Sequence, residues 1–226
     1  MTGNEPPAAV SVVVPCHNDA AYIAEALTSI LTQSRPPAEI IVVDDGSTDD
    51  SMARLASFGE AITVVSQPNQ GAAAARNAGI ARARQPLIAF LDGDDAWPKA
   101  SLAARLDRRA ETRAELVFGA VRQCLDEVGP QAPSPSPAMP GRLAGSLLVA
   151  RELFEKVGLF DECLPTAETI DWLSRAQALG VTEAMVPEVV LYRRIHKTNM
   201  MRTRPDVDRN ALTVLRRAVM RRRAAS

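Results

Sequence analysis

Val42-Val43-Asp44-Asp45-Gly46-Ser47 and Ala89-Phe90-Leu91-Asp92-Gly93-Asp94-Asp95 share one pattern: a short apolar run that ends abruptly in acids and glycine. Such runs read as buried strands of a parallel sheet, whose carboxyl ends open onto the crevice where ligands bind. Carboxylates crowded at Asp92, Asp94 and Asp95 repel one another unless a cation sits among them. Hard oxygen donors of this kind suit Mg2+ or Mn2+. A metal held there would in turn hold a diphosphate.

Outward from these two runs the pattern continues. Val10 to Val14 reads as a first strand, followed by Asp19 as the N-cap of a helix with Ile23, Leu27, Ile30 and Leu31 on one face. Ile40 to Val43 is a second strand, Thr48 to Ser57 a short helix and Ile62 to Val65 a third strand. Ala72 to Arg84 is an alanine-rich helix broken by Gly79, and Leu87 to Leu91 a fourth strand. This alternation predicts an α/β fold in a single domain, with a mostly parallel, Rossmann-like sheet flanked by helices on both faces. Beyond it, Pro98 starts a helix bearing Leu102 and Leu106, and Glu115 to Ala120 is a further strand. Gly129 to Gly141, with Pro130, Pro133, Pro135, Pro137 and Pro140, lacks periodicity and reads as a mobile loop. Arg151 to Val157 and Glu168 to Leu179 are helices stopped by Gly158 and Gly180, and Val181 to Tyr192 is one strand or two. Asp206 to Arg223 closes the chain as a helix with Leu212, Leu215 and Val219 inside.

Composition narrows the function. The 226 residues are enough for one domain with a full core. A net charge of −1 argues against a nucleic-acid coat, so no nucleic-acid partner is expected. The basic residues Arg202, Arg204, Arg209, Arg216, Arg217, Arg221, Arg222 and Arg223 nevertheless crowd the C-terminus, where they could rest on an anionic membrane or an acidic partner. Cys16, Cys124 and Cys163 are odd in number and scattered, which reads as reduced, cytosolic thiols. Met1 to Ala9 is polar and proline-containing, unlike a signal peptide, and no apolar run approaches the roughly 18 residues of a membrane span. The expectation is a cytoplasmic protein, soluble or peripheral to the membrane.

Four segments in order, Val12-Val13-Val14-Pro15-Cys16-His17-Asn18, Val42 to Asp49, Gly71 to Gly79 and Leu91 to Asp95, closely resemble glycosyltransferase family 2. The resemblance covers Val10 to Asn199 and implies the GT-A fold, a nucleotide-diphospho-sugar donor and a divalent metal, Mg2+ or Mn2+. It divides residues 10–199 into a nucleotide-sugar-binding half, 10–97, and an acceptor-side half, 98–199, followed by a basic helical extension, 200–226. By the same resemblance Pro15, His17 and Asn18 line the nucleotide end, and Asp45 accepts a hydrogen bond from the imide of a uracil-like base. Arg76 donates to a carbonyl of that base. The segment Asp92-Gly93-Asp94 holds metal and diphosphate, with Asp94 in direct contact with the metal. The bland alternative for Asp44, Asp45 and Asp49 is helix capping.

Inverting transfer needs a carboxylate to take the acceptor's proton. Relatives supply it from a Glu-Asp pair at a helix start. The segment Ala167-Glu168-Thr169-Ile170-Asp171-Trp172 resembles that pair but has Thr169 in the second acid's place, so Glu168 and Asp171 both stand as candidates. A surface pair of Asp171 with Arg175 is the alternative for the latter. Tyr192 to Asn199 resembles a segment that folds back over the diphosphate, which implies His196 as a further metal ligand and Arg193 or Arg194 as a phosphate partner.

The expected activity is a metal-dependent inverting glycosyltransferase of the hexosyltransferase class. It would move one sugar from a UDP-linked donor to an acceptor that the sequence does not identify: a saccharide, a lipid-linked sugar, a small molecule or a peptide. A nucleotide-sugar-binding protein that has lost transfer, suggested by Thr169, is the alternative. A nucleotidyltransferase would carry a glycine-rich, basic loop after the first strand, where this chain has Pro15-Cys16-His17-Asn18.

Overall fold

The computed structural model describes residues 7–125, 137–164 and 166–196, and between 210 and 220 all but 211, 215 and 219. Its first half alternates as the apolar runs predict. The strands are Ala8–Cys16 (β1), Pro37–Asp45 (β2), Thr63–Gln67 (β3) and Leu87–Phe90 (β4), separated by helices Ile23–Leu31 (α1), Ser51–Ala56 (α2) and Ala72–Arg82 (α3). The second half holds Ser101–Thr112 (α4), Leu116–Leu125 (β5), Met139–Gly141 (β6), Leu148–Ala150 (β7), Leu153–Val157 (α5), Glu168–Ala178 (α6) and Glu183–Ile195 (β8).

The strands form one sheet in the order β3-β2-β1-β4-β7-β5-β6, with β8 on the other edge of β5. β1 pairs in parallel with β2 on one side and β4 on the other. The chain therefore reverses its progress across the sheet at β1, and a crevice opens beyond the strand ends at such a reversal. Register sets what faces it: Cys16 lies opposite Asp44 and Val13 opposite Phe90, so the loops beginning at His17, Gly46 and Leu91 emerge side by side.

Burial on both faces explains the composition of these strands. Val10, Val12, Val13 and Val14 of β1 and all of β4 are buried, and β-branched side chains pack well on a pleated surface. Above β1, α3 lies unusually close. A Cβ on Gly79 would fall 2.2 Å from Val13 Cγ1, so only glycine admits this approach. Farther along, Phe90, Phe154, Phe160 and Trp172 pack with ring centroids 4.9 to 6.1 Å apart and seat α5 and α6 beneath β4. Trp172 is fully buried and donates to the Gly158 carbonyl at 2.7 Å, as a core residue.

Several expectations change. Leu31 is exposed, so α1 buries Ile23, Ala26, Leu27 and Ile30 instead. Asp19 does not cap α1 with its side chain: its main-chain carbonyl accepts from Tyr22 and Ile23 N–H while its carboxylate turns away. The expected one or two strands over Val181 to Tyr192 prove to be one, β8, which begins at Glu183 and runs on to Ile195. The end of the proline-rich stretch pairs as β6, and residues 126–136 lie outside the described ones. Among the described positions of 210–220 the chain is helical, but Leu212 is 54% exposed and Val214 is the residue buried, against Leu164 and Ala167. Leu215, Val219 and residues 221–223 are outside the described residues.

Replacing Gly79 with alanine gains up to about 1 kcal/mol of helix propensity but overpacks a rigid valine, at a cost of about 1–3 kcal/mol. Gly79→Ala should therefore lower the melting temperature, and Val13→Ala combined with it should show less than the sum of the two losses. A Gly79→Ala variant as stable as the parent would mean that α3 can lift off β1.

Candidate active site

Three loops meet beyond the ends of β1, β2 and β4. The first is held open by Asn18, whose φ of 57° places it in the left-handed region that asparagine tolerates. Its side-chain Oδ1 accepts from Thr48 N–H at 2.8 Å and its main-chain N–H donates to Ser47 Oγ at 3.0 Å, joining the β1 loop to the β2 loop. His17 Nδ1 lies 2.8 Å from the Asp45 carbonyl. A carbonyl only accepts, so Nδ1 carries the proton and Nε2 accepts from Asn69 Nδ2 at 3.0 Å and Asn18 Nδ2 at 3.1 Å. His17 and Asn18 are exposed at the crevice, and Pro15 is buried in β1 opposite Val43.

Asp45 is buried at the end of β2 and accepts three N–H groups. Gln67 Nε2 and Gln70 N–H reach Oδ1 at 2.7 and 2.9 Å, and Gly71 N–H reaches Oδ2 at 2.7 Å. It thereby ties β2 to the turn that opens α3. Arg76 is also committed elsewhere than expected. Its Nη1 donates to Glu168 Oε1 at 2.7 Å and its Nη2 to Asp92 Oδ1 at 2.5 Å, with the side chain almost wholly buried. Burial disfavours the charged guanidinium, but Asp92 and Glu168 more than offset it and raise its pKa. Arg76 thus bridges two acids, Glu168 and Asp92.

The turn after β4 gathers the remaining acids. Asp95 N–H donates to the Asp92 carbonyl at 3.1 Å. Asp94 Oδ2 lies 2.9 Å from His196 Nε2, and the Asp95 carboxylate accepts the Arg194 N–H at 2.9 Å. Arg194 is the strap over this turn: Nε donates to the Asp94 carbonyl at 3.0 Å and Nη2 to Glu25 at 2.5 Å. The Tyr22 ring packs against both, 4.9 Å from the Arg194 guanidinium and 5.0 Å from the His196 ring. Arg194 thus ties this turn to α1 through its side chain.

Asp19, Glu25 and Tyr22 are the residues that the sequence did not single out for this site. A Cβ on Gly93 would lie 2.4 Å from Asp19 Oδ2, so glycine is what lets that carboxylate approach the acidic turn. The Asp19 carboxyl is pushed up to about 7, chiefly by burial and then by the charges of Asp94 and Asp92. Asp94 and Asp95 are raised for the same reasons, Asp94 against the opposing pull of His196 and Asp95 against that of the Arg194 N–H. An acid in the loop after β1 was the available signal for Asp19, and its helix-cap position concealed it.

The two candidate bases part company. Glu168, at the first turn of α6, reaches Arg76 and through it Asp92. Asp171 accepts from Arg175 Nε at 2.9 Å, and that guanidinium donates to the carbonyls of Val157 and Leu159, both at 2.7 Å. Asp171 is thereby employed in tethering the loop after α5, as the surface-pair alternative foresaw, though it is buried.

Among the described residues no three acidic, histidine or cysteine side chains converge tightly enough to hold a metal ion as they stand. The donor set fits a hard divalent cation in kind: the Asp92 and Asp94 carboxylates share one turn closely enough to repel, and the His196 imidazole adjoins Asp94.

Residues 11–160 match the family model described as glycosyl transferase family 2. The chain belongs to this family. It is 41% identical over 113 residues to TuaG of Bacillus subtilis, a glycosyltransferase named for teichuronic acid biosynthesis, a stretch that is 48% of this chain and 45% of TuaG. It is 33% identical over 183 residues to the glycosyltransferase EpsJ of the same organism, covering 70% of this chain and 53% of EpsJ. The chain thus spans about half the length of each of these curated relatives. Among solved structures it resembles S. aureus TarS residues 1–349 in complex with UDP-GlcNAc, at a TM-score of 0.76 and 19% identity over 91% of this chain and 65% of that one. It also resembles the mannosyltransferase PcManGT from Pyrobaculum calidifontis, solved with GDP-Man and Mn2+, at a TM-score of 0.76 and 23% identity over 96% and 65%. These likenesses establish the GT-A fold.

Because the Asp19 carboxyl rises from the usual 3.8 to about 7 on folding, the folded chain holds an extra proton between those values. The stability this lends is present below pH 4 and lost as pH climbs through 7. In metal-free buffer the melting temperature should fall between about pH 4 and pH 8. Asp19→Asn should flatten that slope, raising the melting temperature at pH 8 and leaving it alone at pH 4. An unchanged slope would show that Asp19 is ionised normally.

Proposed function

We propose that this chain is a metal-dependent, inverting glycosyltransferase that moves one sugar from a UDP-sugar to an acceptor, with Glu168 as the base. The observation that carries the reading is the Arg76 guanidinium, which joins Glu168 to Asp92 and so sets a candidate base beside the acidic turn after β4. TarS with UDP-GlcNAc and PcManGT with GDP-Man and Mn2+ support a nucleotide-sugar donor and a divalent cation for the same fold.

In this reading His17 and Asn18 border the nucleotide, and the turn from Asp92 to Asp94 takes the diphosphate end. Asp92, Asp94 and His196 would hold Mg2+ or Mn2+, which neutralises the diphosphate and eases its departure. The acceptor hydroxyl passes its proton to Glu168 while its oxygen bonds to the anomeric carbon. The bond from that carbon to the diphosphate breaks, and its electron pair leaves with the nucleoside diphosphate. Attack and departure on opposite faces invert the anomeric centre. Thr169 stands beside Glu168 where an acid would otherwise be, and Asp171 is held by Arg175, so Glu168 is the carboxylate of α6 that connects to the acidic turn. No helix among the described residues is long and apolar enough to cross a membrane.

Incubation with UDP-sugars or GDP-mannose, Mn2+ and a panel of saccharide, lipid-linked sugar, small-molecule and peptide acceptors should release nucleoside diphosphate, fastest from a UDP-sugar. Asp94→Ala should abolish the Mn2+-dependent part of UDP binding measured by calorimetry. Glu168→Gln should slow release about 100-fold or more, the usual contribution of a general base, with UDP affinity within about twofold of the parent. UDP binding without any release by the parent chain would favour the sugar-nucleotide-binding alternative, and unaltered Mn2+ dependence in Asp94→Ala would remove the site assignment.

A further inference from the structure

Arg76 sits in an arrangement that neither base recognition nor ordinary packing explains. It projects from α3, whose neighbouring residues Ala73, Ala74 and Ala75 are small and buried, and it is itself only 4% exposed. Its two terminal nitrogens go to different carboxylates, Glu168 and Asp92, which belong to opposite halves of the cleft. Its Nε is buried with no hydrogen-bond partner among the described residues. An unmade buried hydrogen bond is costly. The side chain accepts that loss in a geometry that the two acids dictate.

The next residue strengthens the placement. Asn77 Nδ2 donates to the Phe160 carbonyl at 3.0 Å and Asn77 Oδ1 accepts the Phe160 N–H at 3.0 Å, so α3 grips the segment leading to α6 by main-chain hydrogen bonds. Two successive residues of one helix thus span from the donor side to the acceptor side.

We propose that Arg76 is the positioning residue that orients Glu168 for proton removal, itself anchored by Asp92, so that donor-end and acceptor-end acids share one cation. The inference rests on the reading of Glu168 as base. Arg76 grips Glu168 through Oε1, which leaves Oε2 to receive the acceptor's proton. A planar fork can satisfy two carboxylates at once in fixed directions, whereas a single ammonium cannot. Small displacements of a reacting group cost up to about 100-fold in rate.

The test is a double-variant cycle on Arg76→Lys and Glu168→Gln, with UDP-GlcNAc and Mn2+ as the probe and, as acceptor, either water or the compound that best supports release by the parent. UDP release and calorimetric UDP affinity are the two readouts. Arg76→Lys should lower kcat roughly 10- to 100-fold, with UDP affinity within about twofold of the parent. Added to Glu168→Gln it should slow release no further, since it acts through that acid. A weakened UDP affinity with unchanged kcat would overturn the proposal in favour of nucleotide contact by Arg76. An equal, additive loss in the Glu168→Gln background would show that Arg76 acts independently of Glu168 and would also overturn it. If Glu168→Gln alone turns over like the parent, the base reading fails first, a distinct signature that takes the inference with it. Lysine preserves the charge between the two acids, so folding is expected to survive; melting curves on each variant confirm that rates are compared between folded proteins.

Discussion

Negative charge gathered where a parallel sheet reverses direction is the constraint from which the rest of this structure follows. Asp19, Asp92, Asp94 and Asp95 meet at the mouth between β1 and β4, and burial makes their mutual repulsion expensive. Two guanidiniums bracket the group. Arg76 enters from α3 and Arg194 from β8, so elements far apart in sequence are drawn in to stabilise the acidic turn. The strap of β8 is held a second way, by reciprocal main-chain hydrogen bonds between Ala96 and Tyr192. Burial first and mutual repulsion second raise the carboxyl pKa values of Asp19, Asp94 and Asp95, and a divalent cation seated among them would relieve the repulsion.

The same electrostatics separates the roles of chemically similar residues. Asp45 and Asp92 both follow apolar strands, yet Asp45 is saturated by the N–H groups of Gln67, Gln70 and Gly71 while Asp92 stays partly exposed beside Arg76. Glu168 and Asp171 lie three residues apart on α6, yet one reaches across the cleft and the other braces the loop after α5. Arg175 decides the difference, because it sits one helical turn beyond Asp171 and has carbonyls within reach.

The first four strands and the parallel α/β plan were legible in the sequence because they depend on local signals. Valine-rich runs closing on Asp-Gly mark strand ends whatever the tertiary context, and Gly158 and Gly180 stop helices through their own positive φ. Long-range pairings were less legible. Nothing near Arg76 in sequence announces Glu168, 92 residues away, and the helix-cap pattern at Asp19 disguised a carboxylate that Gly93 admits to the site. Leu212 was expected inside but is exposed, because the face of the last helix was read without its docking partner, the segment holding Leu164 and Ala167 that Val214 meets.

Anomalous diffraction at the manganese edge, from crystals grown with UDP and Mn2+, reports most directly on whether the acidic mouth is a cation-diphosphate site. The account predicts one manganese peak shared by the Asp94 carboxylate and the UDP phosphates, beyond the ends of β1 and β4. UDP bound there with manganese elsewhere, or both ligands lodged away from that mouth, would contradict it.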